Sequence, residues 1–188
     1  MNFKIIFDFK SISSTFVTKF MLESLITSKT RLRLLIKFFL NIANKGYLNS
    51  LADEFGESTN SVRKELNNLS SAGYLEKHSE KNKVVYKANV SHPLFKVIQK
   101  IVQKHLGIEE ILETVYKRIG DVKKIMLLGD YAKGIDSGII EILIVGDNIN
   151  KKYLDEIAPK IELKIKRKVS FFVSNKSLKQ NSLTIFEA

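Results

Sequence analysis

The stretch from Tyr47 to Lys87, YLNSLADEFGESTNSVRKELNNLSSAGYLEKHSEKNKVVYK, constrains the fold more than any other part of the chain. Ser50 ahead of Leu51, Ala52 and Phe55 reads as a helix start and Gly56 as its stop. Ser58 or Thr59 then caps a second helix whose inward stripe is Val62, Leu66 and Leu69, with Gly73 ending it. This spacing turns Asn60, Ser61, Arg63, Lys64 and Asn67 away from the core. The runs Tyr74 to His78 and Val84 to Lys87 flank Ser79-Glu80-Lys81-Asn82, which predicts a hairpin with a basic tip. Helix, short Gly-containing turn and helix form a helix-turn-helix, whose second helix enters the DNA major groove in proteins that use it so. The outward side chains have suitable chemistry: Arg and Lys match guanine O6/N7, Asn matches adenine N6/N7, and Ser or Thr serves bases or phosphate.

Over roughly residues 30–92, the segment LADEFGESTNSVRKELNNLSSAGYLEKHSEKNKVVYKAN with its preceding helix resembles the winged helix-turn-helix of bacterial and archaeal regulators of the arsenical-repressor type. The resemblance implies a DNA-binding transcriptional regulator, with Thr59, Asn60, Ser61, Arg63, Lys64 and Asn67 on the DNA-binding helix and Lys81 and Lys83 on the wing. A protein-binding winged helix without DNA contact is the alternative.

Charge is distributed as expected of a polyanion-binding module or of a solvated Lys-rich surface. Residues 1–105 carry 17 Lys/Arg against 8 Asp/Glu, whereas residues 106–188 carry 14 against 12, so most of the net charge of +11 lies in the half with the helix-turn-helix. There is no cysteine, which excludes a disulfide framework, a thiol nucleophile and a Cys-ligated metal and fits a cytoplasmic protein. His78, His92 and His105 are scattered without ligand spacing, so neither a metal nor another cofactor is expected. No apolar run approaches the ~18 residues of a membrane span.

Four segments follow from the pattern. Residues 1–20 are an appendage, with Phe3, Ile5, Phe7 and Phe9 alternating as in a strand and Phe16 and Phe20 spaced as on a helix; Met21 is a candidate start. Residues 21–92 form the DNA-binding domain, whose first helix runs from Ser28 to Asn44 with Leu32, Leu35, Ile36 and Phe39 on one face. Its basic residues Lys29, Arg31, Arg33 and Lys37 lie elsewhere on the helix. Residues 93–107 form a linker helix capped by Ser91, whose stripe of Leu94, Val97, Ile98, Ile101 and Val102 suits a homodimer contact. Residues 108–188 open with a helix and continue as a small α/β domain: strands Lys124 to Leu128, Ile139 to Val145 and Val169 to Val173, and a helix near Asn150 to Ala158. Runs such as IIEILIV suggest strands buried on both faces.

Within this last domain, LLGDYAKGIDSGIIEILIVGD resembles the signature of minimal nucleotidyltransferases, in which a strand ends in Gly-Ser and the next strand carries Asp-x-Asp. In that signature the Gly-Ser backbone holds triphosphate, and carboxylates at i and i+2 share one side of a strand to hold paired Mg²⁺ ions. Aligned with it, Gly129 keeps the glycine, Asp130 replaces the serine, Ile139 replaces the first aspartate and Glu141 the second. Isoleucine cannot ligate Mg²⁺, which demands hard oxygen donors, and Asp130 repels phosphate.

The expected fold class is therefore an α+β winged helix-turn-helix domain followed by a small α/β nucleotidyltransferase-like domain. The expected function is that of a dimeric DNA-binding regulator acting on double-stranded DNA. Its degenerate second domain serves as scaffold, partner surface or nucleotide sensor and is not an enzyme; an active nucleotidyltransferase targeted by a winged helix is the competing reading.

Overall fold

The computed structural model describes residues 25–116, 119–177 and 181–188. The expectations for residues 1–20 lie outside them. Helix α1 (Lys29–Leu40) starts at Ser28, whose hydroxyl accepts the Arg31 N–H. It stops at Leu40, short of the expected Asn44: the apolar run ends at Leu40, and the Asn41 side chain accepts the Ala43 N–H in a tight local turn. A short strand β1 (Gly46–Tyr47) leads directly into α2 (Leu48–Phe55), so Ser50 is inside the helix and not its cap. After the three residues Gly56 to Ser58 comes α3 (Thr59–Ser71). Strands β2 (Leu75–Glu80) and β3 (Lys83–Ala88) then form the hairpin.

The hairpin is longer than expected and its turn shorter. Glu80 pairs with Lys83, leaving only Lys81 and Asn82 in the turn, at φ +47° and +63°. Positive φ at both central residues matches the strand twist in two-residue hairpins, and asparagine tolerates it well. β1 adds to the other side of β3, giving an antiparallel sheet in the order β1-β3-β2.

Helix α4 (Phe95–Leu106) follows a turn and has no side-chain cap, so Ser91 does not have the expected role. It lies on α1, with the Phe39 and Phe95 rings 5.5 Å apart and the Gln99 amide donating to the Phe39 carbonyl. Helix α5 (Ile108–Tyr116) precedes the second sheet, made of β4 (Asp121–Leu128), β5 (Ile139–Asp147), β6 (Lys168–Ser174) and β7 (Ser182–Glu187) in the order β6-β5-β4-β7. The short helix α6 (Gly129–Ala132) sits between β4 and β5, and α7 (Lys151–Ile165) between β5 and β6. β5 and β6 are parallel; β4 is antiparallel to both β5 and β7.

One sequence expectation holds over most of its length in this half and two are corrected. β5 is buried on both faces, with Ile140, Ile142 and Ile144 enclosed on one and Leu143 and Val145 on the other; only the start of the second face opens, where Ile139 is 54% exposed and Glu141 half-buried. α7 passes through Pro159 and continues to Ile165, because its stripe of Leu154, Ile157, Ile161 and Ile165 keeps helical spacing across the proline and stays buried. The C-terminal strand β7 was not expected at all.

One hydrophobic cluster runs through both halves, from Leu34, Phe38 and Phe39 of α1 through Leu106 and Ile111 to Ile125, Ile142 and Ile161. Polar contacts reinforce this junction. The Asn41 and Asn44 amides donate to the carbonyls of Ala132 and Lys133 at 2.7 and 2.8 Å. Gly134, at φ +75°, comes so close to the Lys37 carbonyl that a β-carbon there would collide with it. No helix among the described residues is long and apolar enough to cross a membrane.

Candidate functional site

Helix α3 is built to expose one face. The Ser58 hydroxyl accepts the Ser61 N–H at its start, Val62, Leu66 and Leu69 are buried, and α3 packs on β2. Thr59, Asn60, Ser61, Arg63, Lys64 and Asn67 are all exposed on the remaining surface. At the hairpin tip Lys81 and Lys83 are likewise exposed.

The cations divide into two groups that charge counting alone does not separate. On α1, Arg31 bonds Glu65 at 2.8 Å, Arg33 bonds Glu57 at 2.7 Å, and Lys37 bonds Glu54 at 2.8 Å. These three side chains therefore join α1 to α2, to the turn after it and to α3. Burial disfavours the Glu65 carboxylate, but Arg31, with Ser28 and Asn68, outweighs that and holds its pKa below the usual glutamate value. In the hairpin Lys45 pairs with Glu80 and Lys87 with Glu76. By contrast, Arg63, Lys64, Lys81 and Lys83 form no ion pair with any described carboxylate. Sequence reasoning placed the exposed residues and missed the pairing of α1, whose partners lie 17 to 34 residues away.

In the second sheet, Gly129, Asp130, Ile139 and Glu141 converge only in part. Gly129, at φ +55°, carries no side chain where the Glu141 carboxylate lies, so a β-carbon there would collide with that carboxylate. Asp130 is half-exposed in the first turn of α6, with Lys133 3.8 Å away. Ile139 and Glu141 share a face of β5, and the neighbouring position on parallel β6 is Ser170. A carboxylate thus occupies the ground beside Gly129. Two acidic residues near in sequence are committed elsewhere. Asp147 pairs with Lys123 at the far end of β5, and Asp136 belongs to a part-buried network around the enclosed Arg167.

That network was not legible in the sequence. Arg167 grips Asp136 with two bonds, Nε to Oδ1 at 2.9 Å and Nη2 to Oδ2 at 2.6 Å. Its Nη1 donates to the His105 and Ile165 carbonyls, and the Tyr131 hydroxyl donates to Asp136. Burial opposes the charge on Asp136, yet the Arg167 guanidinium prevails and keeps the carboxyl below its ordinary pKa; burial and Asp136 together push the Tyr131 phenol well above its own. The network ties the end of α4, the segment before β5 and the start of β6 into one unit.

Among the described residues no cluster of His, Cys, Asp or Glu could hold a metal ion. His78, His92 and His105 stay apart: His78 bonds Glu76 in the hairpin, His92 stacks on Tyr74 with rings 4.5 Å apart, and His105 is buried at the end of α4. No family model, curated protein or solved structure matches the chain.

Proposed function

We propose that this chain is a sequence-specific, dimeric DNA-binding regulator of the winged helix-turn-helix type, working where cellular DNA is, in the cytoplasm. The observation that carries this reading is the contrast in ion pairing. Thr59, Asn60, Ser61, Arg63, Lys64 and Asn67 form an exposed polar face on α3, and its cations, with Lys81 and Lys83, have no carboxylate partner among the described residues, whereas Arg31, Arg33 and Lys37 of α1 are paired. Unpaired cations on a duplex-sized face exchange condensed counterions for phosphate contacts. Within this reading α3 lies in the major groove and the hairpin is the wing. The decisive experiment is crosslinking followed by sequencing of the co-purified DNA, then titration of the recovered site at several salt concentrations. Steep salt dependence with preference for that site is expected. Binding that ignores salt, or binding to no duplex, refutes the reading.

Dimerisation is proposed through α4. Ile98 is half-buried against the core, so the surface is carried by Leu94, Val97 and Ile101, of which Val97 is 52% and Ile101 42% exposed. Two-fold pairing there matches a palindromic operator. Light scattering should show a dimer for the wild type and a monomer for a folded Val97→Asp/Ile101→Asp variant.

The C-terminal unit belongs to the proposal as a nucleotidyltransferase-like scaffold without transfer activity. Glu141 is the remaining carboxylate of the pair, Ile139 offers no ligand, and Asp136 is held by Arg167. Incubation with labelled nucleoside triphosphates and Mg²⁺ or Mn²⁺ should give no transfer. Transfer abolished by Glu141→Ala overturns this.

A further inference from the structure

A cleft of about 630 Å³ opens between the two halves, within the size range of small-molecule sites, which favour such junctions. Its apolar wall is formed by Leu32 and Ile36 of α1, Phe55 at the end of α2, and Ile135 from the segment before β5; Glu54 also lines it, held by Lys37 at 2.8 Å. Two cations, Lys29 and Arg33, stand on one side; four residues apart on α1, they share a helix face. Asp136 and Arg167 also line it, but they are spent on each other.

Arg33 is only partly used. Its bonds to the Phe55 carbonyl at 2.8 Å and to Glu57 at 2.7 Å both leave from Nη1. The Nε and Nη2 donors of the fork have no acceptor among the described residues, and Lys29 has no carboxylate partner there either. An apolar wall beside a half-free guanidinium and an unpaired ammonium suits an amphipathic anion, such as an aliphatic body ending in a carboxylate. Arg33 also holds the residues on both sides of Gly56, at the turn that leads into α3. A carboxylate drawn to this fork competes with Glu57 and the Phe55 carbonyl, and the Arg33–Glu57 contact is exposed enough to yield.

We propose that this cleft is an effector site for a small amphipathic carboxylate, received by Arg33 and Lys29, and that occupancy changes the hold of α1 on the turn before α3. The effect on DNA rests on the regulator reading; the binding site does not. The full chain, labelled at isoleucine methyls, is titrated with sodium octanoate and separately with 1-octanol, without DNA. Octanoate should shift Ile36 and Ile135 saturably and leave Ile101 on α4 still, with affinity about tenfold above octanol. Arg33→Gln and Lys29→Gln should each bring octanoate toward octanol, while Leu32→Asp should weaken both ligands.

Equal affinity for octanol, unchanged binding in both charge variants, or shifts spread over exposed apolar residues overturns the site. If the methyl shifts behave as expected, octanoate should change the DNA Kd by about fivefold or more. An unchanged Kd with intact DNA binding overturns the coupling, and a chain that binds octanoate but no duplex sinks the regulator reading alone.

Discussion

Helix α1 and helix α3 carry similar cations and use them in opposite ways. On α1, Arg31, Arg33 and Lys37 reach carboxylates on Glu65, Glu57 and Glu54; on α3, Arg63 and Lys64 reach none that is described. Both helices add to the basic excess of the first half of the chain. Net charge therefore says that a polyanion could be attracted, but pairing says which cations are free to neutralise phosphates and so release the counterions condensed on a duplex. A paired cation must give up its carboxylate to meet phosphate, which offsets part of the gain by up to about 1 kcal/mol for an exposed pair. The same distinction extends to the buried Arg167 at one end of the scale and to the hairpin tip at the other.

The largest expected effect comes from the most buried pair. Asp136→Asn leaves the Arg167 guanidinium enclosed without its counter-charge, which should cost about 3 kcal/mol of stability, or roughly 6–12 °C in Tm. Because the folded carboxyl has a lowered pKa, the contribution is complete above the unfolded value of about 3.9 and is lost as pH falls through the folded one. The gap between wild type and Asp136→Asn, measured by urea unfolding, should hence be full near neutrality and shrink in acid. A gap that grows in acid contradicts the assignment.

Next in size is a crossed pair of substitutions. Arg63→Ala should weaken binding to the preferred duplex by about 1–3 kcal/mol and relax base preference, with stability within about 0.5 kcal/mol of wild type. Arg31→Ala should do the reverse: about 1 kcal/mol of stability lost, since buried Glu65 loses its partner, and DNA affinity nearly unchanged. Equal effects of the two on DNA binding would erase the distinction between paired and unpaired cations.

How far the sequence could be read follows from the range of each interaction. Caps and helical stripes are local, so Ser58, Gly56 and the stripe of Val62, Leu66 and Leu69 were legible. So was the expectation that α3 shows a polar face. Ser50 misled because the two-residue strand β1 positions the chain for α2, and β1 exists only through pairing with Tyr86 and Val85 far along the chain. The hairpin turn misled because Lys81-Asn82 lacks the glycine that usually marks positive φ. The helix expected to end near Ala158 runs on through Pro159, because four buried apolar residues outweigh one missing hydrogen bond. In the C-terminal half, Glu141 lying on Gly129 and Asp136 held by Arg167 across 31 residues depend on long-range contacts that no local pattern encodes.

The smallest expected effect tests the comparison most directly, by turning a paired cation into an unpaired one. Glu80 ends β2 beside the hairpin tip; the Lys45 ammonium at 3.0 Å lowers its pKa, so it is ionised at neutral pH, and the Tyr47 hydroxyl adds a longer bond. Glu80→Gln removes that charge and leaves Lys45 without a carboxylate, while the amide retains polar contacts and the exposed site keeps stability nearly unchanged. If pairing is what silences a cation toward DNA, the variant should bind every duplex somewhat more tightly, and its slope of log Kd against log salt should steepen by up to about one unit. Lys81→Ala and Lys83→Ala, which remove cations already unpaired, should each flatten the same slope by about one unit. Opposite slope changes from the two kinds of substitution, at unchanged base preference, are the expected outcome. A Glu80→Gln variant with the wild-type slope, alongside flattened slopes for both lysine variants, would mean that Lys45 lies too far from the duplex for its pairing to matter and would confine the rule to α3 and the hairpin tip.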